Sequence, residues 1–176
     1  MSDPSERLIN LFGALALGVA DRVRWAALGE VALGGETTAA LVVIGHAPGL
    51  SIDQLRRVLR LSHPGTVRLL NRLTSAGLAV RGVAANDRRV AVLKLTKAGH
   101  TRRNALLKRR QAALAAVLQG VSPRDRHALE SLTEAMLRSL PDDATSALTI
   151  CRFCNDRLCL NCPMRAIGQI NSPSTG

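Results

Sequence analysis

Apolar residues recur at three- and four-residue steps along much of the chain, which is the spacing of one face of an α-helix. The first such run extends from about residue 5 to residue 32, and Gly34 and Gly35 are expected to end it. A second run, over 36–44, is almost entirely apolar. The pattern therefore predicts a long amphipathic helix followed by a short buried one.

Two shorter helices are predicted next, each introduced by a serine. Ser51 precedes the run 52–60, and Ser62 precedes the run 63–77, which has Pro64 in its first turn. A serine hydroxyl accepts a hydrogen bond from a free amide at a helix start, and proline loses nothing there. Two capped helices joined by a tight turn indicate a helix-turn-helix.

A β-hairpin and two further helices complete the pattern. The stretches 78–83 and 90–95 are apolar or alternating and flank a polar tip, which is typical of a hairpin. Thr96 is expected to cap a long basic helix over 97–119, and a last helix covers 123–140. The order helix, helix, hairpin predicts a winged helix-turn-helix within a mainly α fold with a small β-hairpin wing.

Charge is distributed unevenly along the chain. Residues 51–110 contain 15 Lys/Arg and 2 Asp/Glu, a net charge of +13, whereas the remainder has 9 basic and 11 acidic residues. A local excess of positive charge in the helix-turn-helix region is expected if that region faces phosphates. The alternative is a solvated basic surface that has no partner.

Candidate DNA-binding side chains lie on the second helix of the helix-turn-helix, away from the apolar face formed by Val67, Leu70 and Leu73. They are His63, Gly65, Arg68, Asn71 and Arg72. Arginine can read guanine and asparagine adenine in the major groove, while glycine permits close backbone approach. Some of these arginines are alternatively contacts to phosphate or solvent.

The hairpin tip supplies a second group of candidates. Arg88 and Arg89 are adjacent there and can reach into a narrow minor groove, where the negative potential is strongest. A carboxylate beside phosphates is repelled unless it orients a neighbouring guanidinium, so Asp87 is expected to hold one of these arginines in place.

The helix-turn-helix and the hairpin resemble the MarR family of winged-helix transcriptional regulators. The residues that carry the resemblance are Leu61-Ser62-His63-Pro64, Arg72-Leu73, Gly77-Leu78, Asp87-Arg88-Arg89, Val92, Leu95-Thr96 and Gly99. The resemblance covers roughly 6–140. It implies a homodimer in which the first helix and the two helices after the wing interleave with their copies, a palindromic DNA operator, and repression of transcription. The two recognition helices would then lie about 34 Å apart, one turn of B-DNA.

The same resemblance implies a pocket for a small-molecule effector between the dimer helices and the DNA-binding part. Trp25 and His46 are candidate lining residues, although core packing is the favoured role for Trp25. A regulator of this type with a purely structural zinc site is an alternative interpretation. A non-specific architectural DNA-binding protein is another, and it would discriminate little between sequences.

All four cysteines fall in one motif, Cys151-x2-Cys154-x4-Cys159-x2-Cys162, followed by Pro163. Two closely spaced C-x-x-C pairs can converge on one metal centre. Zinc is the first choice of cofactor, an iron–sulfur cluster is the alternative, and a metal-free thiol switch is a third interpretation. The motif lies outside the ordinary MarR pattern. We expect it to bind metal and, as a hypothesis, to sense metal or oxidant.

The predicted organisation is therefore an N-terminal dimerisation helix (1–35), the DNA-binding domain (36–96), dimerisation helices (97–141), the four-cysteine module (145–166) and a flexible tail (167–176). The four histidines lack metalloprotease spacing, and no phosphate-binding glycine loop or nucleophile elbow is present, so the sequence does not predict an enzyme. No targeting signal is predicted, because acidic residues precede the apolar segment 8–20, and we expect a cytoplasmic protein without a membrane partner.

Overall fold

Helices dominate the architecture, which we describe from a computed structural model covering residues 3–28, 34–83, 91–159 and 161–164. The elements in chain order are α1 (Glu6–Leu28), α2 (Gly34–His46), α3 (Ile52–Leu59), α4 (His63–Ser75), β1 (Ala79–Val83), β2 (Ala91–Leu95), α5 (Lys97–Leu118), α6 (Pro123–Ser139), α7 (Ala144–Ile150) and a 3-10 turn (Cys151–Phe153). The predicted fold class, mainly α with a β-hairpin wing, is confirmed.

The predicted caps of α3 and α4 are present. Ser51 Oγ accepts from the amide of Gln54, whose side chain accepts in return from the amide of Ser51, so two otherwise unpaired donors are satisfied. Ser62 Oγ accepts from the amide of Gly65, and Pro64 occupies the first turn of α4. These local signals fix where both helices begin and hence the angle between them.

The core lies between α2, α3, α4 and the hairpin. Eight consecutive residues of α2 are buried, in agreement with its apolar sequence. The fully buried side chains that surround them include Leu50, Leu55, Val58, Leu69, Leu70, Leu73 and Leu93. Leucine and valine from four elements therefore build the core without any aromatic side chain.

The hairpin pairs β1 with β2 in antiparallel register, from Ala79 opposite Leu95 to Val83 opposite Ala91. Thr96 then caps α5, as predicted, and its hydroxyl also donates to the carbonyl of Gly77 at 2.6 Å. The wing and the start of α5 are thereby tied to the end of α4.

Two helix starts differ from the sequence prediction. Gly34 and Gly35, which were expected to end the first helix, are the first residues of α2, and Gly34 has a φ of +68°, which glycine adopts without strain. A further short helix follows α6. Asp143 caps α7, which was not predicted, and it does so through reciprocal hydrogen bonds with Ser146.

Helices α1 and α6 leave large apolar surfaces uncovered in the single chain. α1 packs along α5 and contacts α2, while no residue of α6 is buried. The exposed apolar side chains of the two helices include Leu8, Ile9, Leu11, Phe12, Leu15, Leu17, Trp25, Leu132 and Met136. No helix in the described part of the chain is long and apolar enough to cross a membrane.

Candidate nucleic-acid interface and cysteine segment

Helix α4 separates a buried face from a polar face. Thr66, Leu69, Leu70 and Leu73 are buried, and Val67 is half-buried, so the predicted apolar face is close to the observed one. Four of the candidate DNA-binding side chains on this helix are exposed: His63, Arg68, Asn71 and Arg72. The core thus fixes α4 in an orientation that leaves its polar side chains free to meet a ligand.

An arginine on the wing strand joins this polar face. Nη2 of Arg81, on β1, donates to Oδ1 of Asn71 on α4 at 2.8 Å, and both side chains are exposed. Arg81 was not among the predicted residues, although a basic residue in a wing strand was a usable signal. The contact holds the amide of Asn71 in one orientation and adds a cation beside it.

Gly65 and Arg72 have surroundings that the sequence did not indicate. A Cβ on Gly65 would lie 3.1 Å from the capping hydroxyl of Ser62, so this glycine makes room for the cap of its own helix. Arg72 also borders the cavity described below. The predicted wing-tip residues Asp87, Arg88 and Arg89 lie outside the described residues.

A cavity of about 860 Å³ lies between α1, the start of α2, α5 and the 3-10 turn. Its charged lining consists of four arginines and two carboxylates: Arg24, Arg72, Arg110, Arg152, Asp21 and Glu36. Thr37 also lines the cavity; it is fully buried, and its hydroxyl has no hydrogen-bond partner among the described residues. The excess of cations over carboxylates, together with the unpaired hydroxyl, is suited to an anionic or polar ligand.

The two residues proposed to line an effector pocket are not among those bordering this cavity. Trp25 is 72% exposed, so the expectation that it packs in the core is wrong for the single chain. His46 is largely buried but contacts the segment that carries the cysteines.

The cysteine segment, defined here as residues 144–164, packs directly on the winged helix. The buried hydroxyl of Thr149 donates to the carbonyl of Val58 at 2.9 Å. That carbonyl belongs to the last turn of α3, where carbonyl groups lack partners within the helix. Ala147 and Met164 are also buried, and the 3-10 turn packs against α2. The segment is therefore part of the folded unit.

Asp156, between the two cysteine pairs, forms a second connection. Its Oδ1 accepts from Nη2 of Arg103 at 2.5 Å and lies 3.3 Å from Nε2 of His46. Burial lowers the pKa of His46, which the carboxylate of Asp156 partly opposes. Partial burial acts to raise the pKa of Asp156, but the hydrogen bond from Arg103 and the charges of His46 and Arg103 together outweigh it, and the net shift is downward. The carboxylate is thus held ionised between two helices.

The side chains of the first cysteine pair, Cys151 and Cys154, are hydrogen-bonded to each other. The hydrogen bond between the two side chains raises the pKa of Cys151 and lowers the pKa of Cys154, and the positive charge of Arg110 also favours the Cys154 thiolate. Charge on Cys162 and Cys159 raises the pKa of Cys151 further, so these thiols lie within electrostatic reach of it. A thiolate beside cations is the form of cysteine that binds metal.

The second pair does not complete a ligand set in this structure. Cys159 is exposed and Cys162 is half-buried, and all four cysteines are free of disulfides. Within the described residues, no three histidine, cysteine or acidic side chains are arranged as a metal site. Metal binding would therefore require the second pair to close onto the first.

Residues 33–90, about a third of the chain, match the model of the MarR family. No curated protein matches the sequence. This match confirms the resemblance to the MarR family for the winged-helix region, but it does not address the cysteine motif.

Solved structures of MarR-family proteins are similar over most of the chain. A MarR family protein from Bacillus stearothermophilus is 22% identical, with a TM-score of 0.66 over 76% of this chain and 96% of that one. A MarR family regulator from Silicibacter pomeroyi is 24% identical, with a TM-score of 0.58 over 73% and 88%. Streptococcus pneumoniae FabT in complex with DNA is 22% identical, with a TM-score of 0.58 over 75% and 95%. At these identities the likeness establishes the fold.

Proposed function

We propose that this chain, whose residues 33–90 match the model of the MarR family, is a sequence-specific DNA-binding transcriptional regulator that acts as a homodimer. We infer further that it binds a palindromic operator and represses transcription. The observation that carries the proposal is the exposed polar face of α4, which includes Arg68 and on which Asn71 contacts Arg81 of the wing. A similar fold has been solved with DNA in FabT.

The contacts in this face divide into two kinds. Asn71 can present its amide to an adenine edge, and Arg68 can pair with guanine, so these two side chains supply discrimination between sequences. Arg81 and other exposed basic residues of 51–110 supply attraction to phosphate, which depends on salt but not on sequence. Both contributions are needed for a regulator that finds one site among many.

The test is selection of a binding site from random duplexes, followed by fluorescence anisotropy with the selected duplex and a scrambled one. A regulator binds the selected duplex at least about 10³-fold more tightly at physiological salt, and the selected sequence is a palindrome. Equal affinity for both duplexes, with a steep dependence on salt, would instead identify an architectural DNA-binding protein.

The homodimer is supported by the uncovered apolar surfaces of α1 and α6. Contiguous exposed apolar side chains mark interaction surfaces. A dimer with two-fold symmetry has the same symmetry as a palindromic DNA site. Light scattering should give twice the chain mass of 18.8 kDa. Leu11→Glu, on the exposed face of α1, should return the mass toward that of one chain, whereas Lys94→Glu, an exposed position on strand β2, serves as a control.

We also propose that Cys151, Cys154, Cys159 and Cys162 hold one metal centre, with zinc as the first choice and an iron–sulfur cluster as the alternative. The hydrogen bond between Cys151 and Cys154 and the positive charge of nearby Arg110 favour thiolate ligation. The second pair lies in the same docked segment. Metal analysis and an absorption spectrum of protein purified without oxygen separate the possibilities. One zinc per chain and a colourless protein support zinc, whereas a brown chromophore supports a cluster. Absence of both zinc and chromophore supports a metal-free thiol switch.

A second candidate function is regulation by a small molecule, with the metal as a structural staple. The specific observation in its favour is the cavity of about 860 Å³ with the unpaired hydroxyl of Thr37 and several arginines. Such a site would take a small organic anion. Titration of the dimer with a panel of organic carboxylates, followed by the fluorescence of Trp25, tests this candidate, and Thr37→Val should weaken any binding that is found.

A further inference from the structure

One oxygen atom in the cysteine segment contacts two helices of the winged-helix unit. Oδ1 of Asp156 accepts from Nη2 of Arg103, in α5, at 2.5 Å and lies 3.3 Å from Nε2 of His46, the last residue of α2. Asp156 itself follows Cys154 by two residues and precedes Cys159 by three. The contact therefore joins the loop between the two cysteine pairs to α2 and α5.

The position of Arg103 is built into the fold. Its side chain is 2% exposed and passes α2 at Gly45, where a Cβ would collide with Cδ and Nε of the arginine. Among the described residues, Asp156 is the acidic side chain within ion-pair distance of this buried guanidinium. A buried charge that loses its counter-ion has to rearrange or reach water, so the place of Arg103 depends on where Asp156 is held.

Arg103 is also connected to the recognition helix. It lies two turns into α5, whose N-cap Thr96 donates to the carbonyl of Gly77 just beyond the end of α4. A change in the position of α5 is therefore transmitted to the end of α4 and to the wing strands by a direct hydrogen bond.

We propose that Arg103 and Asp156 are positioning residues that couple the metal state of the four-cysteine centre to DNA binding. This inference rests on the proposed function, since it requires both the metal centre and the operator. In this structure the second pair has not closed onto the first, and Asp156 holds Arg103. Closing all four thiolates onto one metal would move the four-residue loop between the pairs and withdraw the carboxylate from Arg103, so that α2 and α5 rearrange together with the end of α4.

The experiment measures operator affinity of the full chain with zinc bound and after zinc removal by a chelator. We expect a change of at least tenfold for the wild-type chain. Asp156→Asn and Arg103→Met keep all four cysteines and should bind the same amount of zinc, but their operator affinity should change less than twofold between the two states. Asp142→Asn and Arg138→Met, which are exposed and remote from this contact, should behave as wild type.

The effect of operator DNA on zinc affinity provides a second measurement. It would not differ between the wild-type chain and Asp156→Asn if Asp156 had a merely structural role. If zinc changes operator affinity tenfold, operator DNA must change zinc affinity by the same factor in the wild-type chain and not in Asp156→Asn. Asp156→Asn preserves shape, so it remains informative if Arg103→Met does not fold.

A full tenfold response in Asp156→Asn overturns the coupling role. A wild-type chain that binds zinc and operator independently overturns it as well, while leaving the proposed function in place. Failure of the wild-type chain to prefer any operator refutes the proposed DNA-binding function, and failure to bind zinc refutes the proposed zinc centre. Both are seen without any variant.

Discussion

Arg81 on the wing strand donates a hydrogen bond to Asn71 on the recognition helix across 2.8 Å. The contact links the two parts of the winged helix that are expected to touch different regions of a DNA duplex. It also holds Oδ1 of the asparagine amide against the guanidinium. The side chain proposed to read a base is therefore already held in place in the absence of DNA.

Asn71→Ala should therefore reduce affinity for the selected operator by roughly 1–3 kcal/mol, or about 5- to 150-fold, while affinity for a scrambled duplex hardly changes. Arg81→Ala should weaken binding to both duplexes and make the dependence of log affinity on log salt shallower by about one unit. Anisotropy titrations at several salt concentrations measure both effects. A uniform loss for Asn71→Ala on both duplexes would assign this side chain to phosphate contact.

Thr149→Val should destabilise the folded chain by about 1–3 kcal/mol, because it leaves the buried carbonyl of Val58 without its donor. The matched control is Thr101→Val, which removes an exposed hydroxyl that donates to the carbonyl of Lys97 in the same way. Urea unfolding followed by circular dichroism gives the free energy of unfolding. Equal effects of the two substitutions would show that the cysteine segment does not dock on α3.

Gly45→Ala should cost about 1–3 kcal/mol, since the added methyl group overlaps the buried side chain of Arg103. Gly35→Ala, in the first turn of the same helix, meets no atom within 4 Å and should stabilise the chain by up to about 1 kcal/mol. Thermal unfolding of the two variants provides the comparison. Loss of stability in Gly35→Ala alone would contradict the placement of Arg103 against α2.

Metal removal should change the reactivity of all four cysteines together. In the metal-loaded chain we expect iodoacetamide to modify none of them, and after chelation to modify all four, because one centre protects the complete set. Mass spectrometry of the intact chain counts the modified residues. Protection of only Cys151 and Cys154 would mean that the second pair takes no part in the centre.

Acid should loosen α7 at its N-cap. Hydrogen bonds from Ser146 hold the pKa of Asp143 below its ordinary value, so its stabilising contribution is fully present above the unfolded pKa of about 3.9 and is lost as the pH falls through the folded pKa. Hydrogen exchange of the α7 amides across this pH range should accelerate more in the wild-type chain than in Asp143→Asn, which carries no titratable cap. Identical pH profiles would contradict the role of the carboxylate.

The winged helix was predictable because its signals are local. Ser51, Ser62 and Thr96 each accept from the amide three residues further on, so the sequence marks the helix starts directly. Helix α7 was not predicted because seven residues are too few to show the helical periodicity of apolar positions. Asp143 is equally compatible with the end of α6 and with the start of another helix.

The contact between Arg103 and Asp156 was beyond sequence reasoning for a different reason. The two residues are 53 positions apart, and Arg103 is one of several basic residues in a helix that looks solvent-exposed throughout. Gly45 was the available hint, because a glycine inside a buried helix often marks close approach of another group. The four cysteines were found from spacing alone, but their docking surface was not.

The distance in sequence between Val58 and Thr149 has a consequence for synthesis of the chain. At about 5–20 residues per second, roughly 5 to 18 s separate translation of the two residues, whose groups are 91 positions apart. Helices α3 and α4 are thus made well before the segment that closes over α3. The residues of the DNA-binding surface are therefore translated before the cysteines that are proposed to control DNA binding.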